Sequence, residues 1–71
     1  MKVRYDVNNM DMTGVGFWSR DQREAFEMAK KIAAQDRFGE AFMTRNVWNG
    51  EGRITEVSTV VVRQDGTFRR I

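Results

Sequence analysis

The sequence predicts an α+β fold in which a single antiparallel sheet of four to five strands carries one amphipathic helix on one face, in the order ββαβββ. Three observations predict it. Apolar and polar residues alternate near the start of the chain, they recur at three- and four-residue spacing in the middle, and β-branched and aromatic runs separated by glycine turns follow position 40. The 71 residues provide for one core, so we expect a single domain over 1–71.

The first strand is predicted at residues 2 to 8. Val3, Tyr5 and Val7 alternate there with charged side chains, which is the period of a strand with one buried face. The three apolar residues are therefore expected in the core.

A second strand is predicted at Thr13 to Trp18, which is rich in β-branched and aromatic residues. Alternation places Phe17 on one side and Trp18 on the other. Gly14 and Gly16 also permit a different interpretation, in which residues 9 to 16 form an irregular loop.

The helix is predicted to begin at Ser19, because Ser19 and Gln22 have the spacing of a capping box. Gly39 supplies a C-terminal stop. The apolar face, at helical spacing, consists of Ala25, Phe26, Ala29, Ile32 and Ala33.

Three further strands are predicted as an antiparallel meander. Ala41 to Trp48 and Arg53 to Arg63 are joined by a turn at residues 49 to 52, and Asp65-Gly66 forms a tight hairpin to Thr67–Ile71.

The two faces of these strands differ in composition. Arg45 lies on the side of Met43 and Val47, whereas Trp48 lies on the other side. The run from Val60 to Val62 is apolar on both sides. It is either the central strand of a small sheet, or part of a face that a partner or a second copy covers, so a homodimer is one interpretation.

Composition favours binding over catalysis. Histidine, cysteine and proline are absent, and nine of the twelve basic residues are arginine. The missing imidazole and thiol remove common acid-base groups, nucleophiles and soft metal ligands, whereas arginine grips phosphates and carboxylates. The carboxylates of Asp21, Glu24 and Glu27 lie among basic residues, which is typical of a solvated, ion-paired helix face. We therefore expect no enzyme, no cofactor and no bound metal.

The positive charge is concentrated in the C-terminal part. Residues 41 to 71 carry five arginines against three acidic side chains, within a net charge of +2. Aromatic and basic residues interleave at Trp48 with Arg45 and Arg53, and at Phe68 with Arg69. This pattern is compatible with base stacking and phosphate contact, or with core aromatics beside solvated arginines. Trp48 adjoins a turn and is expected to be the more exposed tryptophan.

Residues 27 to 39, with the sequence EMAKKIAAQDRFG, are followed by paired strands and the Asp65-Gly66 hairpin. Over residues 20 to 71 this arrangement resembles small phage anti-CRISPR proteins that inhibit type I surveillance complexes. The resemblance implies a stoichiometric inhibitor that sits on guide-RNA-bound subunits in the host cytoplasm and stops target DNA from hybridising. The chain is too basic for a pure DNA mimic, which favours mixed polar contacts or an added affinity for DNA.

The predicted partner-binding residues combine charge, aromaticity and expected exposure. They are Arg45, Trp48, Arg53, Lys30, Lys31 and Arg69. Two other classes are compatible with the residues: a small basic nucleic-acid-binding module and an oligomerising accessory protein. No apolar run approaches the roughly 18 residues of a membrane span, so no membrane partner is expected.

Overall fold

The computed structural model describes residues 1–11 and 16–71, which form one helix and a five-stranded antiparallel sheet. The predicted fold class is confirmed. The elements are β1 (Lys2–Asn9), β2 (Gly16–Ser19), α1 (Gln22–Gln35), β3 (Glu40–Trp48), β4 (Ile54–Arg63) and β5 (Phe68–Arg70).

The strands lie in the order β2-β1-β3-β4-β5, and every neighbouring pair is antiparallel. The strands β1 and β2 form a hairpin, α1 then crosses the sheet, and β3 enters on the other side of β1. The meander β3-β4-β5 completes the sheet, as the sequence predicts. The helix packs mainly over β3 and β1 and also contacts β4 and β2.

The core lies between α1 and one face of the sheet. Val7 stands opposite Met43 in the β1–β3 register, and both are buried beneath the helix. The helix contributes mainly alanine side chains, with Ala25 and Ala29 fully buried, so its backbone can approach the sheet closely. Full burial of an aliphatic side chain such as Val62 contributes about 2 kcal/mol to folding. These contacts confirm the predicted apolar face of the helix.

The two N-terminal strands differ slightly from the prediction. The first strand continues to Asn9, one residue further than expected. The second strand is Gly16–Ser19, and residues 13 to 15 of the predicted strand lie outside the described residues. Phe17 packs against the core and Trp18 is exposed, which confirms their placement on opposite sides.

The prediction that Ser19 caps the helix is wrong, because Ser19 belongs to β2 and pairs with Tyr5. Its hydroxyl oxygen accepts a hydrogen bond from the amide of Asp21 at 3.0 Å. Asp21 is the N-cap, and its carboxylate accepts hydrogen bonds from the amides of Arg23 and Glu24 at 2.9 and 3.4 Å. The sheet pairing of Ser19 thus moves the cap two residues along the chain.

The helix ends at Gln35, and Gly39 with a φ of 74° lies in the turn beyond it. In this turn, the Asp36 carboxylate accepts hydrogen bonds from the amides of Asp11 at 2.9 Å, Phe38 at 2.8 Å and Glu40 at 3.2 Å. Burial raises the pKa of Asp36, but these bonds outweigh it and hold the pKa below its ordinary value. One carboxylate therefore ties the end of α1 to the ends of β1 and β3.

Within the run Val60–Val62, Val61 and Val62 are buried by the chain itself and Val60 is partly buried. Val60 and Val62 face the helix. Val61 faces the other way and is only 2% exposed, and it lines a depression together with Arg63 and Arg69. The aliphatic stems of arginines can cover apolar surface in this way, so burial of Val61 needs no second copy.

Candidate functional site

The face of the sheet opposite α1, here called the open face, is covered by no other element within the described residues. Because side chains alternate along a strand, the neighbours of the core residues point to this face. It carries Lys2, Arg4, Asp6, Trp18, Phe42, Thr44, Asn46, Trp48, Ile54, Val57, Thr59, Val61 and Arg69.

One end of the open face presents large apolar side chains to solvent. Trp18 and Ile54 are each 53% exposed and Val57 is 59% exposed. The register places these side chains on neighbouring strands at the same end of the sheet. Trp48 pairs with Ile54, and Asn46 pairs with Arg4 on one side and with Val57 on the other. The tryptophan patch is defined by five residues: Arg4, Trp18, Trp48, Ile54 and Val57.

The centre of the tryptophan patch is an arginine in a fixed position. The Arg4 guanidinium carbon lies 4.5 Å from the centroid of the Trp18 ring. Two nitrogens of Arg4 contact the same Asp6 oxygen, at 2.9 and 3.0 Å. The other Asp6 oxygen accepts a hydrogen bond from the Asn46 amide at 2.8 Å. These contacts hold Arg4, and with it one face of Trp18, before any partner arrives.

Further cations lie at the margin of this patch. Lys2 and Arg20 line, together with Arg4, Trp18 and Trp48, a depression of about 180 Å³. Neither Lys2 nor Arg20 forms an ion pair with another described residue. The margin therefore carries positive charge that the described chain leaves available to an acidic or phosphate group.

The other end of the open face is closed by ion pairs. The Glu40 carboxylate contacts Arg69 at 2.6 Å and Arg63 at 3.3 Å. The hydrogen bond from Arg69, with support from Arg63, holds the pKa of Glu40 below its ordinary value. The same bond to Glu40 raises the pKa of Arg69. Arg69 is thus already engaged within the chain.

The other predicted contact residues are spread over several surfaces. Arg45 lies on the helix side of the sheet, 2.8 Å from Glu56. Hydrogen bonding to Tyr5 and the nearby Glu56 carboxylate raise the pKa of Arg45. Arg53 lies in the exposed turn before β4.

Both predicted lysines lie on the helix. Lys30 pairs with Glu27 and lies 5.5 Å from the Phe26 ring centroid, and Lys31 is exposed beside it. The six predicted residues therefore do not share one surface, and among them only Trp48 belongs to the tryptophan patch.

The prediction that Trp48 is the more exposed tryptophan is wrong. Trp48 is partly buried because it lies in the interior of the sheet, with Lys2 on one side and Ile54 on the other. Trp18 lies on the edge strand β2 and has the larger exposed fraction. Sequence reasoning missed Arg4, Trp18, Ile54 and Val57 as site residues. The alternation around Val3 and Phe17 predicts that Arg4 and Trp18 face away from the core. That these two residues share a surface with residues of β4 depends on the strand order.

A second concave feature lies on the helix side of the sheet, beside the N-terminal half of α1. It is a cavity of about 270 Å³, here called the arginine groove. Phe26 and Phe68 form one wall, with ring centroids 6.2 Å apart and planes at 88°. The groove is lined by Tyr5, Gln22, Phe26, Met43, Arg45, Ser58, Thr59, Val60, Phe68 and Arg70.

Within the described residues, no three acidic side chains are grouped so as to hold a metal ion. Nor is any helix in residues 1–11 and 16–71 long and apolar enough to cross a membrane. Comparison with known proteins found no matching family model, no matching curated protein and no matching solved structure.

Proposed function

We propose that this chain is a binding protein without catalytic activity, and that it docks on a protein partner through the tryptophan patch. The observation that carries this proposal is the exposure of Trp18, Ile54 and Val57, beside the partly buried Trp48 and around the fixed Arg4. Tryptophan and arginine dominate the energetic centres of protein interfaces. Ile54 and Val57 add apolar surface, which contributes to binding when a protein partner buries it and contributes nothing to contact with a phosphate backbone.

The partner that we propose is a type I CRISPR surveillance complex in the host-cell cytoplasm. The resemblance of residues 27 to 39 and of the element order to phage anti-CRISPR proteins supports this choice. The protein acts as a stoichiometric inhibitor that occupies a subunit surface needed for target DNA binding.

Charge supports contact with protein subunits of that complex. Such complexes hold nucleic acid in positively charged channels, and a chain with a net charge of +2 gains little there. The tryptophan patch instead offers apolar area around a satisfied Arg4–Asp6 pair. An interface of standard size buries about 800 Å² on each partner, so the patch serves as its centre and Lys2 and Arg20 as its rim.

A second candidate is binding of single-stranded nucleic acid. The observation that favours it is the combination of stacked Arg4 and Trp18 with Lys2 and Arg20, two cations that form no ion pair within the described part of the chain. Bases stack on exposed aromatic rings, and cations beside them neutralise phosphates.

The test uses purified, guide-loaded type I complexes and labelled target DNA. Increasing amounts of the chain are expected to abolish target binding once the number of added chains equals the number of binding sites on the complex. Trp18→Ala removes this effect, whereas Phe38→Ala, which truncates an aromatic residue 59% exposed outside the patch, keeps it. A mobility shift with single-stranded DNA or RNA alone, without inhibition of any complex, establishes the second candidate instead.

A further inference from the structure

The strand β4 is ten residues long, but β5 covers only part of it. Val60–Val62 pair with Phe68–Arg70. The preceding residues 54 to 58 are exposed, and all of them except Thr55 pair with β3 on one side. Within residues 1–11 and 16–71, no strand pairs with the other side of residues 54 to 58, which is here called the free edge of β4.

The hydrogen bonds of β4 show which backbone groups face this edge. The amide of Arg63 donates to the Thr67 carbonyl at 2.9 Å, and the amide of Ile71 donates to the Thr59 carbonyl at 3.3 Å. Odd-numbered residues of β4 thus direct their backbone groups toward the β5 side. By the alternation of an antiparallel ladder, the amide and carbonyl of Val57 point to the free side. They offer a donor and an acceptor to an added strand.

The free edge lies between the two concave or apolar features of the molecule. Ile54 and Val57 belong to the tryptophan patch on the open face. Ser58 lines the arginine groove on the helix side. A strand added along this edge therefore continues the surface proposed to bind a partner and places its alternate side chains over the groove.

The charge around the free edge selects an acidic strand. Arg53 and Arg70 lie at its two ends, whereas Arg45 lies behind it on β3 and is already paired with Glu56. Arg70 forms no ion pair with another described residue. Arg45 pairs with Ser58 in the register, and Arg70 stands opposite Val60 two residues further along. An acidic side chain opposite Ser58 on this edge thus lies in line with Arg70, two residue positions away and on the same face of the sheet.

We infer that the free edge of β4 binds an extended acidic segment of the partner protein as a sixth strand, an inference that rests on the proposed protein-docking function. Backbone hydrogen bonds to Val57 supply affinity, and the arginine groove selects an acidic side chain. A second copy of the chain suits the edge poorly, because it brings the same excess of arginine.

The test selects binders from a random octapeptide library displayed on phage. Enriched peptides are expected to alternate apolar and acidic residues. Val57→Pro removes the outward amide without removing a bond to β3, and we expect it to weaken binding of an enriched peptide about tenfold more than Val57→Thr, which keeps that amide. Circular dichroism checks that both variants fold. Arg70→Glu provides a second, exposed substitution and is expected to reduce affinity for acidic peptides about tenfold.

Each outcome separates this inference from the proposed function. A library without enriched peptides, or peptides that bind Val57→Pro and Arg70→Glu as well as the original chain, overturns the inference. If capture of a surveillance complex is lost in Trp18→Ala but kept in Val57→Pro, the inference about the free edge is overturned and the proposed function stands. Enrichment of acidic strands without capture of any complex supports the edge and removes the proposed partner. A concentration-dependent mass that Val57→Pro abolishes identifies a second copy as the occupant and contradicts the inference.

Discussion

The substitution Trp18→Ala bears most directly on the tryptophan patch. A tryptophan side chain offers up to about 250 Å² of surface, and 53% of Trp18 is exposed, which leaves about 130 Å² for a partner to bury. At about 25 cal/mol per Å², this area corresponds to about 3 kcal/mol of binding free energy. Since 1.4 kcal/mol is a tenfold change, we expect the dissociation constant to rise about a hundredfold.

The assay is a calorimetric or surface-based titration of a guide-loaded type I complex with the chain and its variants. The substitution also removes the contact between Arg4 and the indole ring, which is worth about 0.5–1 kcal/mol at exposed sites, so the variant is measured well below its unfolding temperature. Trp18→Phe is expected to recover part of the affinity, and Phe38→Ala is expected to bind like the original chain. A folded Trp18→Ala variant whose dissociation constant changes less than threefold refutes the reasoning.

Three further predictions concern stability. The pKa values of Asp36, Glu40 and Asp65 lie below their ordinary values in the folded chain. The stability that these lowered pKa values contribute is therefore complete above about pH 5 and is lost as the pH falls through them. We expect the urea concentration at the unfolding midpoint to decrease once the pH is below about 4, and to decrease less in Glu40→Gln. A urea midpoint that stays constant between about pH 5 and about pH 2 contradicts this prediction. Asp21→Ala removes the helix N-cap and should cost about 1 kcal/mol in urea unfolding, and no measurable change would argue against Asp21 as the cap. Val62→Ala deletes two fully buried carbon atoms and should cost about 2 kcal/mol in the same experiment, whereas a cost below about 0.5 kcal/mol would place Val62 outside the core.

The fold follows from local signals that agree with one another. Alternation around Val3, Tyr5 and Val7 indicates a strand, three- and four-residue spacing indicates the helix, and Asp65-Gly66 indicates the last hairpin. Gly66 has a φ of 89° in that hairpin, a conformation that glycine adopts at little cost. Each of these signals involves residues close in the chain, which is why the sequence is sufficient to predict them.

The helix cap and the tryptophan patch depend on contacts that are distant in sequence. Ser19 and Asp21 are both good capping residues, and the pairing of Ser19 with Tyr5 in the sheet decides between them. Trp18 and Val57 lie on the same face with β1 and β3 between their strands, and only the strand order establishes this. The same order leaves β4 partly uncovered, so the free edge was also beyond sequence reasoning.

The central claim is that the tryptophan patch docks on a surveillance complex and prevents target binding. The most direct measurement is the binding of labelled target DNA to a guide-loaded type I complex, titrated in parallel with the original chain, Trp18→Ala and Phe38→Ala. We expect the original chain and Phe38→Ala to abolish target binding at a stoichiometric ratio and Trp18→Ala to leave it intact. Target binding that persists at a large excess of the original chain, or that folded Trp18→Ala abolishes equally well, would contradict the account.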